Sequence, residues 1–420
     1  MRSGRPLLVL LCLCLCCCGG GGGGGGGSSA PPTPACGIVG SGAIAQPSGT
    51  NWLLVTVNGS ECNPATTDQA GYPDKPCVSV TICDPSNPGT CQLVSDILLD
   101  TGSFGLRIFY SALNVSGLVL TPVASGGGSL AECVTYADNT SDWGYVALAN
   151  VHLGGELALS VPIQVIDPPS LGAIPGSCTS PHTGPGPGGA IPAFYNGVLG
   201  VGPLVYDCGS ACTANPSALN PVNYYTCVGG SCTLSTAALV SQVQNPVTFL
   251  PDNNGLIVEL PGVPAAGLPS VNGYVVFGIG TQANNVPSGV TAYGLNQFGE
   301  FATSFNGPPF VAAIVDTGTN GFLFSDPTLP TSGGWFNPSS SLCLSATIEG
   351  ASGVPASVVA FQIASLASLS ASGWVFSNIG ASGQAGFFDW GLPFFLGRNV
   401  YIGINGRGGS TLGAGPFVAF

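Results

Sequence analysis

The chain has 420 residues, 45% of them apolar, with a formal net charge of −13 and a charged fraction of only 6%, against roughly 25% in an ordinary soluble domain. That length and apolar content allow a large core, as one big or two medium domains, and nineteen acids against six bases exclude nucleic acid as a natural partner. Past the N-terminus no 18-residue apolar stretch is free of Gly, Pro or polar breaks, which excludes a bundle of membrane-spanning helices.

In chain order, Arg2 and Arg5 precede an apolar run from Leu7 to Cys17, the pattern of an export signal. Leu15 stands three residues before Cys18. This ending resembles the lipobox of bacterial lipoproteins, in which the Cys becomes the lipidated first residue; Cys17 stands where that motif carries Gly, Ala or Ser. The resemblance implies a membrane anchor at Cys18 and a location in the bacterial cell envelope, with plain secretion as the alternative. Residues 1–18 then form the leader. Residues 19–36, with Gly19 to Gly27 followed by SSAPPTP, form a flexible tether. No strand precedes the Gly run and no G-K-[ST] follows it, so it is not a phosphate cradle.

Beyond the tether the pattern is strand and turn. NWLLVTVNG, SDILLD, YVALANVHLGG, LALSVPIQVI, NGYVVFGIG, FVAAIVD and NVYIGING are short β-rich runs bounded by Gly, Pro or Asn. STAALVSQVQN reads as a short helix capped by Ser235 or Thr236. With 66 Gly and 36 Pro, long helices are not expected and an all-β fold follows. The Cys-bearing stretch from Pro203 to Thr233 reads as a loop insertion.

Twelve cysteines follow Cys18: Cys36, Cys62, Cys77, Cys83, Cys91, Cys133, Cys178, Cys208, Cys212, Cys227, Cys232 and Cys343. An even count in an exported chain favours disulfides of unassigned connectivity. A four-thiolate zinc site at Cys208, Cys212, Cys227 and Cys232 is the competing reading, although its spacings are looser than C-x-x-C knuckles.

Asp-Thr-Gly occurs twice, as ILLDTGSFGL around Asp100 and AAIVDTGTNGF around Asp316. Each copy ends an apolar run and precedes a hydroxyl residue. Two such strands can bring two carboxylates face to face, where they cannot both ionise and so share a proton. The motifs, together with NGVLGVG (Asn196 to Gly202), PFFLGRNVYIGI (Pro393 to Ile404) and the terminal GPFVAF, resemble the pepsin-type aspartic peptidases over roughly residues 50 to 420. NGVLGVG and PFFLGRNVYIGI correspond to the apolar-apolar-Gly segments beside each Asp loop.

The resemblance implies an all-β, bilobal fold with a central cleft, an N-terminal lobe at 37–285 and a C-terminal lobe at 286–420. Asp100 and Asp316 would hold a water between them; Gly102 and Gly318 would donate N–H groups to the carboxylates, Ser103 and Thr319 would bond their outer oxygens, and Thr101 and Thr317 would reach across to the opposite loop. The segment from Glu132 to Gly155 resembles the flap hairpin, with Tyr136 as its tyrosine. Seven residues after Asp100, where the family carries a Trp that supports the flap, this chain has Arg107. In the cleft it would favour the ionised pair; on the surface it would be solvated.

The function expected is an exported aspartic endopeptidase acting on polypeptides, with no metal and no cofactor. A two-lobed chain supplies both acids, so a monomer is expected. The alternative is a pepsin-like scaffold without turnover that binds or inhibits at the cell surface. Only His152 and His182 are present and no G-x-S-x-G occurs, which leaves a histidine metal site or a serine triad little to draw on. Few cations leave few salt bridges to lose on protonation, so acid tolerance is expected.

Overall fold

The computed structural model describes residue 36 and residues 43–63, 72–185, 191–214, 216, 221–369 and 373–420. The leader, Cys18 and the Gly19–Gly27 run lie outside the described residues. Cys36–Phe420 is one compact unit, and its architecture is all-β. Among the described residues the helices are three α-helices of four residues each and short 3-10 turns.

One sheet has sixteen strands and the other nine. The larger draws strands from both ends of the sequence: Trp52–Val57 pairs with Val271–Phe277, Gly255–Leu260 with Arg398–Gly403, and the latter with Phe417–Ala419. The smaller is built from strands between Phe301 and Trp390.

Both sheets contain the same three-strand arrangement. Asn87–Asp100 runs parallel to Gly197–Val201, and Phe104–Phe109 lies antiparallel on the far side of that strand. Phe310–Val315 likewise runs parallel to Phe387–Trp390, with Phe322–Phe324 antiparallel beyond it. A strand bearing an Asp at its end thus lies beside a later strand that returns to flank it. Ile97, Leu98 and Leu99 are all buried, and in the second arrangement Ala313 and Val315 are buried while Ala312 and Ile314 are half-buried, so the apolar runs ILL and AAIV go largely into the core. Around the second Asp strand the core is aromatic: Phe324 stacks on Phe388 at 5.0 Å, and Phe388 packs on Trp390 at 4.7 Å.

Four local expectations are corrected. STAALVSQVQN holds only a 3-10 turn at Leu239–Ser241 with no side-chain cap. The backbone is committed to other partners at both ends: Ser235 N–H donates to Tyr224 O at 2.9 Å, and Val243 N–H, which a helix would direct to Leu239 O, donates to the Tyr224 hydroxyl at 2.8 Å. The Pro203–Thr233 stretch is not all loop, since Val222–Val228 and Ser231–Leu234 form a hairpin that extends the sheet beside Gly128–Thr135. Its β-branched and aromatic residues suit a strand, and Gly229 and Gly230 at φ +56° and +83° turn the hairpin. The zinc reading fails because Cys208–Cys212 and Cys227–Cys232 are disulfides.

The fourth correction concerns PFFLGRNVYIGI, which does not flank the second Asp loop. It supplies Pro393 to Phe395 of the buried helix Leu392–Phe395 and the strand Arg398–Gly403. The flanking strand is Phe387–Trp390, followed by Gly391, whose added Cβ would stand 2.1 Å from Gly321 O. The sequence of the two segments is similar enough in apolar content that only strand pairing separates them.

The remaining cysteines pair as Cys36–Cys343, Cys62–Cys77, Cys83–Cys91 and Cys133–Cys178. Cys62, Cys77 and Asp96 cluster closely enough to suggest a metal, but both sulfurs are spent in the disulfide and Asp96 pairs with Lys75 at 2.6 Å.

Candidate active site

Asp100 and Asp316 stand at the ends of the two flanked strands, where the chain turns through Thr-Gly. The Gly102 N–H bridges them: it lies 2.8 Å from Asp100 Oδ1 and 3.1 Å from Asp316 Oδ1. This shared donor brings the two carboxylates into one hydrogen-bonded unit. Ser103 N–H adds a bond to Asp100 Oδ1 at 3.1 Å and the Ser103 hydroxyl one to Asp100 Oδ2 at 2.5 Å. Gly318 N–H donates to Asp316 Oδ1 at 2.7 Å, and Thr319 Oγ1 lies 2.9 Å from Asp316 Oδ2.

The close approach explains the glycines. A Cβ on Gly102 would lie 2.5 Å from Asp316 Cγ, and one on Gly318 would lie 2.9 Å from Asp100 Cγ, so neither site has room for a side chain. Beneath the pair, Thr101 N–H donates to Thr317 Oγ1 at 3.1 Å and Thr317 N–H to Thr101 Oγ1 at 3.0 Å. Every residue of the two expected D-T-G-[S/T] sets is therefore in this one constellation.

Burial, then the charge of Asp100, then that of Asp389 push the Asp316 carboxyl well above the ordinary carboxylate range. A pair so placed holds a proton in common and titrates as a unit.

Tyr136 lies in the turn of the hairpin formed by Gly128–Thr135 and Ser141–Leu153. Its hydroxyl donates to Asp142 Oδ2 at 2.6 Å, and Asp142 Oδ1 meets His182 Nδ1 at 2.7 Å. The turn itself reaches the other half of the chain, where Gln384 Nε2 donates to Ala137 O at 3.4 Å. The link between Asp142 and His182 has no sign in the sequence, because a carboxylate in a strand and a His in a Pro-Gly loop carry no motif.

Arg107 is neither in a cleft nor on the surface. It is 1% exposed and its Nη2 lies 2.8 Å from Glu132 Oε1 and 3.1 Å from Asp207 Oδ2, while Nη1 donates to Phe104 O at 2.6 Å. Phe104–Phe109 is sandwiched between Gly197–Val201 and Glu156–Ile166, so its side chains face packed layers and a charge there must find buried partners.

A recess of about 190 Å³ opens beside Thr101 and Gly102, with Phe104, Pro203, Leu295 and Phe298 in its wall. Glu300 also lines it, and neither Asp100 nor Asp316 does.

The sequence reading missed Asp389. This third carboxylate is 3% exposed, and Thr319 Oγ1 lies 2.7 Å from its Oδ2. Its signal was an acid inside FFDWG, an apolar stretch in a chain with few charges. By strand pairing Asp389 stands opposite Ile314, as Val198 stands opposite Leu98 in the first arrangement.

Comparison with solved structures finds an aspartic proteinase from Irpex lacteus, with 16% identity and a TM-score of 0.48, covering 88% of this chain and 96% of that one. No curated protein matches the chain. A family described as "Protein of unknown function (DUF3443)" matches residues 47–420, and the chain belongs to that family.

Proposed function

We propose that the chain is an aspartic endopeptidase, in which Asp100 and Asp316 activate a water for attack on a peptide carbonyl. The observation that carries this reading is the Gly102 N–H shared between Asp100 Oδ1 and Asp316 Oδ1. An ionised and a protonated carboxyl in one unit can act together: the first takes a proton from water while the second gives one to the carbonyl oxygen. Water adds to the carbonyl carbon to give a tetrahedral diol, and no bond to the protein forms. The amide nitrogen then takes a proton as the C–N bond breaks, and the pair returns to its starting charge.

A polypeptide substrate suits the recess beside Gly102 and the hairpin turn carrying Tyr136, which reaches from one half of the chain to the other. Export belongs to the same proposal. Six disulfides agree with an oxidising compartment, and no helix among the described residues is long and apolar enough to cross a membrane. Anchoring through a lipid on Cys18, with the chain acting as a monomer made of two lobes, completes the reading. Incorporation of labelled fatty acid that disappears in Cys18→Ala tests the anchor.

The test of the activity is cleavage of an unfolded protein between about pH 3 and 7, the range that brackets carboxylate titration. Asp100→Asn and Asp316→Asn are each expected to lower the rate by about 10²–10⁴-fold. A folded wild type that leaves the substrate intact, with or without pepstatin as control, overturns the reading in favour of a binding scaffold.

A further inference from the structure

Thr319 carries one hydroxyl hydrogen but touches two carboxyl groups, Asp316 Oδ2 at 2.9 Å and Asp389 Oδ2 at 2.7 Å. The hydroxyl can donate to one of them only, so the other contact is a favourable bond only if that carboxyl is protonated and donates to the hydroxyl oxygen. The surroundings decide which. Asp316 Oδ1 accepts two backbone N–H bonds, from Gly318 and Gly102, and such donors favour the ionised form. Asp389 Oδ1 meets no hydrogen-bond donor among the described residues. Burial, the largest effect on Asp389, pushes its carboxyl well above the ordinary range.

No cation offsets that burial. The strands packed on Phe387–Trp390, namely Phe310–Val315 and Phe322–Phe324, contain no titratable side chain, and neither does the following turn Leu392–Phe395. The charge that acts on Asp389 is that of Asp100, which raises it further, while hydrogen bonding to Thr319 and Asp316 offsets part of the rise. The first arrangement has no counterpart, because Val198 holds the corresponding place.

We propose that Asp389 is a neutral positioning acid: it donates its proton to Thr319 Oγ1 and so directs the Thr319 hydroxyl hydrogen onto Asp316 Oδ2. The chain Asp389 O–H to Thr319 O–H to Asp316 polarises each bond in turn, which lowers the cost of the negative charge carried by the pair that Asp316 forms with Asp100. The site thus contains three carboxyl groups, two of them protonated in its working state, and the near-symmetry of the two motifs is broken by one residue. The consequence for turnover rests on the peptidase reading; the protonation of Asp389 does not.

Infrared difference spectroscopy of the folded full chain at near-neutral pH tests the protonation. The wild type is expected to show the C=O stretch of a buried protonated carboxyl that disappears in Asp389→Asn; an unchanged spectrum overturns the proposal whether or not the protein cleaves anything. Thr319→Val, which keeps the Asp389 side chain, should shift that band by removing its acceptor, and a band that does not move breaks the link to Asp316. Where cleavage is measurable, the acid limb of its pH profile is expected to move up by about half a unit to one unit in Asp389→Val, and to stay near the wild-type position in Asp389→Asn, whose amide can still donate to Thr319. Equal profiles for both variants and the wild type would contradict the positioning role. A wild type without activity would sink the peptidase reading alone, leaving the spectra to decide the state of Asp389.

Discussion

Thr101 and Thr317 each hydrogen-bond the other's strand: the Thr101 hydroxyl donates to Val315 O at 2.9 Å and the Thr317 hydroxyl to Leu99 O at 2.7 Å. With the two N–H to Oγ1 bonds, four buried hydrogen bonds fasten the Asp100 turn to the Asp316 turn. Each hydroxyl both accepts and donates, so no apolar isostere can replace it.

Thr101→Val leaves Val315 C=O and Thr317 N–H without partners in a buried place. A loss of about 2–4 kcal/mol is expected, measured by denaturant titration at constant pH. Thr101→Ser keeps the hydroxyl and should recover most of it.

Gly102→Ala places a methyl within 2.5 Å of Asp316 Cγ, so the carboxylate pair must separate. If the pair is catalytic, cleavage falls by about 10²-fold while the circular dichroism spectrum and the melting cooperativity persist. Gly318→Ala, with 2.9 Å to Asp100 Cγ, should be the milder change.

Arg107→Met removes the cation between Glu132 and Asp207, both buried. About 3–5 kcal/mol of destabilisation is expected. The double variant Arg107→Met with Glu132→Gln should be more stable than the single one, because one uncompensated charge has gone.

Glu156 is pushed up to about 7, first by burial and then by its hydrogen bond to Asp252 and the charge of that group. A carboxyl raised in the folded state contributes stability that is fully present below its unfolded value and is lost as pH rises through the folded one. The wild type should therefore lose stability between about pH 4.5 and pH 7, and Glu156→Gln should flatten that part of a melting-temperature profile. Identical profiles for the wild type and Glu156→Gln would show that Glu156 ionises normally. Lys75 and Arg107 are both buried in ion pairs, so the scarcity of cations does not by itself free the fold from charges to lose on protonation.

Asp142→Ala cuts the Tyr136 hydroxyl and His182 loose together. Amide exchange in the 136–141 turn, where Tyr136 N–H donates to Thr140 O at 2.9 Å and Ser141 N–H to Ser180 O at 3.1 Å, should become faster, with exchange in Asn87–Asp100 unchanged. Equal protection in both proteins would mean that the hairpin is held by its ladder alone.

The legible parts of the sequence were those whose signal is local. ILLDTGS and AAIVDTGT showed an apolar strand, a carboxylate, a glycine turn and a hydroxyl donor, and the structure brings all eight residues together. The two repeats could be matched because each needs the same close approach. STAALVSQVQN misled because its composition favours a helix, whereas Tyr224 in the preceding hairpin binds the N–H groups of Ser235 and Val243. PFFLGRNVYIGI misled because apolar-apolar-Gly recurs nearby at 389–391 with an Asp in the first place, and strand pairing alone separates the two.

What the sequence determined by itself was the all-β character, the export-style cysteine usage and the paired D-T-G-[S/T] turns, since these depend on side-chain type and on neighbours within a few residues. Tertiary structure decided which cysteines pair, where Arg107 finds its counter-charges, how Asp142 and His182 meet Tyr136, and that Asp389 stands behind Thr319. Some of those partners are near in sequence, but Arg107 and Asp207 are 100 positions apart, Thr319 and Asp389 70, and Cys36 and Cys343 307, and a buried charge has no local mark of its partner: its place is set by which strands come to lie side by side, and the cost of leaving it unpaired acts only after they do.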